Sequence, residues 1–173
     1  PGATSHFLAY SALAVPGIWV THWMGTNDLY AFTALNVSLL LSAAFVALRR
    51  LHWSAVLLVF VSPILWWVDK AHTEPFTFSL VTITLVLCVE QPSWAFVAAG
   101  LAATQNPPFA LLVVVVALVN CLVRPAIFAQ RCVRLALLVG IALSLLHPLY
   151  YSIRVGRLTS LSGNILWHWP NLR

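Results

Sequence analysis

Residues 29–48 form an uninterrupted run of twenty uncharged, mostly apolar residues that ends at the pair Arg49 and Arg50. A helix of about 20 such residues is long enough to cross a hydrocarbon core roughly 30 Å thick. The rest of the 173-residue chain is similar, since 61% of all residues are hydrophobic and only 8% are charged. In soluble domains roughly a quarter of the residues are charged. The sequence therefore predicts an all-α protein that lies in a membrane.

Further apolar stretches bring the expected total to six or seven membrane segments, and they cover residues 6–24, 54–68, 76–89, 94–104, 109–123 and 135–150. Several are shorter than a straight span requires, and Pro16 and Pro63 each interrupt one of them. We therefore expect a polytopic transmembrane helix bundle in which some segments are short, kinked or re-entrant. Residues 1–173 are expected to form a single transmembrane module, an excerpt of a longer membrane protein, with residues 152–173 as an extracytoplasmic tail.

The arginines predict which loops share a face of the membrane. They fall in two loops that four segments separate, Arg49 and Arg50 in the first and Arg124, Arg131 and Arg134 in the second. An even number of segments returns the chain to the same face, and the positive-inside rule assigns that face to the cytoplasm. Residues 69–74, residues 105–108 and the tail are then expected on the extracytoplasmic face.

Two more arginines, Arg154 and Arg157, fall on the predicted extracytoplasmic face, against the charge bias. Segments beyond the last span obey the rule weakly, which is one explanation. The other is that the two guanidinium groups hold an anion, because arginine presents paired donors to phosphate oxygens.

The most polar stretch between two apolar runs is residues 69–74, here called the polar turn, which contains Asp69, Lys70, His72 and Glu74. Glu74 and Pro75 suit the first turn of a helix, where an acid interacts favourably with the helix dipole, so an ordinary turn is one interpretation. The other interpretation is a functional site. Carboxylates and an imidazole can hold a divalent cation or act as a general base.

Other features argue against several classes of function. No run of basic and aromatic residues indicates a nucleic-acid surface, so we expect no nucleic-acid partner. The three cysteines, Cys88, Cys121 and Cys132, lack CxxC spacing and predict neither a disulfide framework nor a zinc site. Asn36 begins a glycosylation sequon, but it lies inside the run 29–48, so we assign it no role.

Two stretches carry a resemblance to a known family: "SPILWWVDKAHTEPFTFSLVTITLVL" and "FVAAGLAATQNPPFALLVVVVALV". Their order resembles the membrane module of GT-C glycosyltransferases, polytopic enzymes that take sugars from polyprenyl-phosphate donors. The matching features are Ser62-Pro63, then Glu74-Pro75, then a helix with Gly100 that ends in a turn at Pro107 and Pro108. The N-terminal residues look like the helix that leaves the first extracytoplasmic loop of that family.

The resemblance implies transfer of a sugar from a polyprenyl-phosphate donor to a hydroxyl acceptor on the extracytoplasmic face. Glu74 would bind a metal ion or position the acceptor, with His72 and Asp69 as its catalytic neighbours. Glu74 and His72 would be the metal ligands, and Mg²⁺ or Mn²⁺ is the candidate cofactor. The family's first-loop acid would lie upstream of Pro1, and the expected location is a bacterial inner membrane or its equivalent.

By the same resemblance, Lys70, Arg154 and Arg157 would bind the donor phosphate. Residues expected near the donor or acceptor are His6, Gln105 and Asn106, with Gln105 at a position where lysine is common in the family. The alternative is a polytopic membrane protein without catalytic activity, such as half of a transporter or an assembly subunit. Transporters place their binding groups near the middle of the bilayer, so the depth of the polar residues separates the two hypotheses.

Overall fold

The computed structural model describes residues 8–155, and these form an all-α structure without a strand. Seven α-helices follow one another along the chain: α1 (Leu8–Trp23), α2 (Leu29–Arg50), α3 (Trp53–Val61), α4 (Glu74–Leu87), α5 (Pro92–Gln105), α6 (Ala110–Val123) and α7 (Arg131–Val155). Short 3₁₀ turns precede α4, α6 and α7 at Pro63–Trp67, Pro107–Phe109 and Pro125–Ala129. The all-α prediction is confirmed for this part of the chain.

Two helices are long and apolar enough to cross a membrane, Leu29–Arg50 and Arg131–Ile153. Helices α4, α5 and α6 have 14 residues each, which corresponds to about 21 Å at 1.5 Å per residue. The total of six or seven membrane segments therefore remains a prediction. Residues 156–173, most of the predicted tail, lie outside the described residues.

Proline residues set several helix boundaries. Pro75 and Pro92 occupy the first turns of α4 and α5, where the missing N–H costs little. Pro63 has a stronger effect than the kink expected within residues 54–68. Helix α3 ends at Val61, Ser62 is extended, and its hydroxyl accepts a hydrogen bond from the amide of Ile64 at the start of the 3₁₀ turn.

Helix α5 lies at the centre of the bundle and packs against α1, α4, α6 and α7. Its contact with α7 is close because two glycines meet there, Gly100 and Gly140. Along α7 the small residues Ala136, Gly140 and Ser144 recur every four positions, a pattern that lets membrane helices approach closely. Elsewhere the outward faces of the long helices are apolar, with Leu41 55% exposed and Leu138 63% exposed.

The bundle has two chemically different ends. At one, here called the arginine end, Arg50 Nη1 lies 2.6 Å from Glu90 Oε2, and Arg124 Nη1 donates to the carbonyl of Val89 at 2.9 Å. Asn120 on α6 donates to the carbonyl of Cys88 at 2.7 Å, which ties α6 to the end of α4. The polar turn and the end of α5 lie at the opposite end, as the distribution of arginines predicted. Which end faces the cytoplasm remains a prediction.

Candidate functional site

Hydrogen bonds from one residue of α2 hold the polar turn in place, although this residue lies more than 30 positions earlier in the chain. Asn36 on α2 is fully buried, and its Nδ2 donates to the carbonyls of Val68 at 3.2 Å and Lys70 at 3.0 Å. Its Oδ1 accepts a hydrogen bond from the hydroxyl of Tyr10 on α1 at 3.1 Å. One side chain therefore connects α1, α2 and the polar turn.

Tyr10 is fixed by aromatic packing as well as by this hydrogen bond. Its ring lies 5.3 Å from that of Phe32 and meets the ring of Phe76 edge to face at 5.7 Å. Phe76 is completely buried in the first turn of α4. Edge-to-face contacts of this kind stabilise aromatic clusters beyond simple burial. The start of α4, which carries Glu74, is consequently positioned by the core on one side and by Asn36 on the other.

Within the polar turn, His72 and Glu74 form a pair. Nδ1 of His72 lies 3.2 Å from Oε2 of Glu74, and both side chains are about half exposed. The imidazole ring also packs 4.6 Å from the ring of Trp67. A carboxylate and an imidazole at this distance can form a hydrogen bond, and the contact with Trp67 limits the orientations of the ring.

Lys70 points toward aromatic rings. Its Nζ donates to the carbonyl of Trp66 at 3.0 Å and lies 4.5 Å and 4.9 Å from the ring centroids of Trp66 and Trp67. These cation–π contacts hold the ammonium group on the 3₁₀ turn. Lys70 is not among the residues that line the groove described next.

A groove of about 540 Å³ opens beside Glu74, between α4 and the chain that links α5 to α6. We call it the Glu74 groove, and its lining consists of Thr73, Glu74, Thr77, Phe78, Val81, Thr82, Leu85, Gln105, Asn106 and Phe109. The polar residues at its mouth come from the start of α4 and the end of α5. Farther along α4 the lining becomes largely apolar. The Glu74 groove is therefore amphipathic along its length.

Gln105, which lines the groove, has a side-chain acceptor without a hydrogen-bond partner in the described part of the chain. Its Oε1 is buried and has no hydrogen-bond partner within residues 8–155. A buried acceptor without a partner costs free energy, and a ligand in the groove would satisfy it only if the Gln105 side chain turned toward the groove.

Asn36 also shows how deep the site lies. It is seven residues from the first residue of α2, Leu29, which corresponds to about 10 Å along the helix. The remaining fourteen residues to Arg50 correspond to about 21 Å. If α2 spans the bilayer, Asn36 holds the polar turn at about a third of the helix length, about 10 Å from one end and about 5 Å from the middle.

The structure brings some of the predicted site residues together and leaves others apart. Glu74, Gln105 and Asn106 line one groove, and His72 contacts Glu74. Asp69 is exposed and does not line the groove. His6, Arg157 and the side chain of Arg154 lie outside the described part of the chain.

The two predicted metal ligands, His72 and Glu74, lie in contact but without a third ligand beside them among the described residues. Within residues 8–155 no group of three or more His, Cys, Asp or Glu side chains is arranged to hold a metal ion. His72 and Glu74 provide one nitrogen and one carboxylate donor. Mg²⁺ and Mn²⁺ prefer oxygen ligands, so this pair supplies one suitable ligand, the carboxylate of Glu74, and a metal site here stays a prediction.

Asn36 and Tyr10 were missed by the sequence argument. Asn36 was set aside as a sequon within an apolar run, yet its side chain has no exposed surface and its amide is hydrogen-bonded to the backbone. A lone amide in a run of Leu, Val and Ala was the available signal, because a buried polar group requires partners.

Comparisons with protein-family models, with curated proteins and with solved structures found no match to this chain.

Proposed function

We propose that this chain is the membrane module of a GT-C type glycosyltransferase that transfers a sugar from a polyprenyl-phosphate donor to a hydroxyl acceptor. The observation that carries the proposal is the Glu74 groove, which has a carboxylate at its mouth and apolar walls beyond it. A lipid-linked sugar phosphate has the same division, with a polar head and a hydrocarbon tail. In this proposal the polytopic bundle lies in a membrane and the groove faces the extracytoplasmic side.

The grouping of the polar residues at one end of the bundle supports an enzyme over a transporter. Asn36, which holds the polar turn, lies about 10 Å from the nearer end of α2 by the helical rise and about 5 Å from its middle, so its depth alone does not separate the two functions. A transporter needs its binding groups near the middle, where both faces can reach them. Glu74, Gln105 and Asn106 instead lie where α4 begins and α5 ends, at one end of the bundle, and this suits an enzyme that takes its lipid donor from one leaflet.

Glu74 would act as the base. Its carboxylate would accept the proton of the acceptor hydroxyl, whose oxygen then forms a bond to the anomeric carbon of the sugar. The bond from that carbon to the phosphate oxygen breaks, and the polyprenyl phosphate leaves with the electron pair. His72, with Nδ1 3.2 Å from Oε2, would orient the carboxylate and share the proton.

The leaving phosphate requires compensating positive charge. Lys70, Arg154 and Arg157 are the proposed sources, and arginine is suited to the task because its planar fork donates to two oxygens. The proposed steps require no metal ion, because Mg²⁺ and Mn²⁺ prefer oxygen ligands and the pair of His72 and Glu74 supplies only one carboxylate, which acts here as the base. Asn106 would contact the polar head of the donor or the acceptor, and Asp69, exposed in the polar turn, would act as a neighbour of Glu74.

Glu74→Gln tests this proposal. The amide keeps the size of the side chain but cannot accept a proton, so we expect the rate of sugar transfer to fall by about 10² to 10⁴-fold. The assay uses the purified chain in phosphatidylcholine vesicles with a radiolabelled polyprenyl-phosphate hexose, and it measures hexose released to water or to an added acceptor.

Glu90→Gln is the matched control, because it makes the same chemical change at the arginine end, far from the groove. It should leave the transfer rate within about twofold of the wild type if the loss of an exposed ion pair has little effect on the fold. Equal rates for Glu74→Gln and the wild type, in a preparation with an unchanged melting temperature, would remove Glu74 from the mechanism.

A further inference from the structure

A second cleft, of about 390 Å³, lies at the arginine end, remote from the Glu74 groove. It opens between the last turns of α2 and the loop that joins α4 to α5, and it is lined by Phe45, Val46, Arg49, Arg50, Leu87 and Gln91. Guanidinium groups and apolar side chains thus share one small cavity. That combination suits a ligand with an anionic head and a hydrocarbon part.

The cleft continues into an apolar groove. Val46, Leu87 and Gln91 also belong to a cavity of about 380 Å³ whose other lining residues are Leu80, Ile83, Trp94, Val97, Ala98 and Leu101. Along α5 this groove extends from Gln91 to Leu101, ten residues or about 15 Å. That length is half of a hydrocarbon core roughly 30 Å thick, which is the depth of one leaflet.

The charge at this end is strongly positive. Its helix ends and loops carry Arg49, Arg50, Arg124, Arg131 and Arg134, against one acid, Glu90. Arg50 is paired with Glu90 at 2.6 Å, whereas the guanidinium of Arg49 lies 5.2 Å from the centre of the Phe45 ring and makes no ion pair within the described residues. The guanidinium group of Arg49 is therefore available to bind an anion in the cleft.

We propose that the cleft and the groove together bind one anionic phospholipid from the leaflet at the arginine end. Arg49 contacts the lipid phosphate, Gln91 lies at the level of the head group, and one acyl chain follows the groove past Trp94 and Val97. Arginine suits this role because its fork donates to two phosphate oxygens. The inference depends on the membrane placement of the bundle but not on sugar transfer, so a negative result in the transfer assay leaves it standing.

Trp94 provides the measurement, because its side chain lines the groove and is 65% exposed. The purified chain is placed in phosphatidylcholine vesicles with increasing amounts of phosphatidylglycerol brominated on its acyl chains, which quenches tryptophan on contact. A parallel series uses brominated phosphatidylcholine. We expect phosphatidylglycerol to quench at about fivefold lower mole fraction, the effect of one basic side chain near an anionic lipid. Trp94→Phe should remove this difference.

Arg49→Gln should make the two lipids equivalent, while Arg134→Gln, which removes an arginine that does not line the cleft, should keep the preference. If Arg49→Gln fails to fold, Val97→Phe offers a second test, because it narrows the groove without changing charge and should reduce quenching by phosphatidylglycerol. Inorganic phosphate should leave the preference unchanged.

Three results would overturn the proposal. The first is equal quenching by the two brominated lipids in the wild type, and the second is an undiminished preference in both Arg49→Gln and Val97→Phe. The third is loss of the preference when inorganic phosphate is added, because the cleft would then be a general anion site and not a site for a lipid.

Discussion

Gly140→Leu is expected to separate α5 from α7 and to abolish the native packing of the bundle. A Cβ atom at Gly140 would lie 2.7 Å from the carbonyl oxygen of Phe96 and 3.2 Å from its carbonyl carbon. Both are backbone atoms, so no side-chain rotation can relieve the contact. The same close contact exists from the side of α5, since a Cβ atom at Gly100 would lie 2.7 Å from the carbonyl oxygen of Gly140.

The effect should increase with the size of the substituent. Gly140→Ala is expected to lower the free energy of unfolding by about 1–3 kcal/mol, the usual cost of extra atoms in a packed interface. Gly140→Leu should exceed this range because its whole side chain must fit between the same two backbones. The measurement is the thermal unfolding of the purified chain in detergent, followed by tryptophan fluorescence.

Ala142→Leu is the control for this pair of variants. Ala142 lies two residues away on the same helix but is exposed, so the same bulk points away from α5. Its melting temperature should stay close to that of the wild type. If Gly140→Leu and Ala142→Leu melted at the same temperature, the close contact between Gly100 and Gly140 would not support the fold.

Asn36→Leu is the second substitution with a large expected effect. It removes the partner of the Tyr10 hydroxyl and of the carbonyls of Val68 and Lys70, in a position with no exposed surface. A buried polar group left without a partner costs about 1–3 kcal/mol. We therefore expect the free energy of unfolding to fall by about 3 kcal/mol or more, and the polar turn to lose its position relative to α2.

Two variants distinguish the loss of the Asn36 hydrogen bonds from a general effect of substitution on α2. Ser38→Leu places the same side chain at an exposed site of the helix and should have little effect on the melting temperature. Tyr10→Phe removes only one of the three hydrogen bonds and should cost about 1 kcal/mol. If Asn36→Leu were as stable as Ser38→Leu, the hydrogen bonds from Asn36 to the polar turn would be unimportant for the fold.

Several elements of the fold could be predicted from the sequence because their causes are local. Pro75 and Pro92 mark the starts of α4 and α5, and Arg49 and Arg50 mark the end of α2. The break at Pro63 was underestimated as a kink. Ser62 is extended there and its hydroxyl satisfies the amide of Ile64, so the chain leaves the helix completely.

The candidate site was predicted in part. Sequence reasoning chose Glu74, Gln105 and Asn106, and the structure places them in one groove. It did not find Asn36 or Tyr10, because neither lies near the polar turn in the chain. The phosphate-binding role predicted for Lys70 stays a proposal, and it would require the side chain to move, because the ammonium group lies near the rings of Trp66 and Trp67 and Lys70 does not line the groove.

The sequence by itself determined the helical class, most helix boundaries and the separation of arginines from the polar turn, since composition, proline and charge act locally. Only the tertiary structure decided which helix faces meet. On α2, Leu40 is buried and Leu41 is 55% exposed, although both are leucine. In a chain this apolar the outer surface resembles the core, so hydrophobicity does not mark the inward face. The inward face of a helix is decided instead by close backbone contacts and by buried amides. Examples are the contact between Gly100 and Gly140 and the side chain of Asn36.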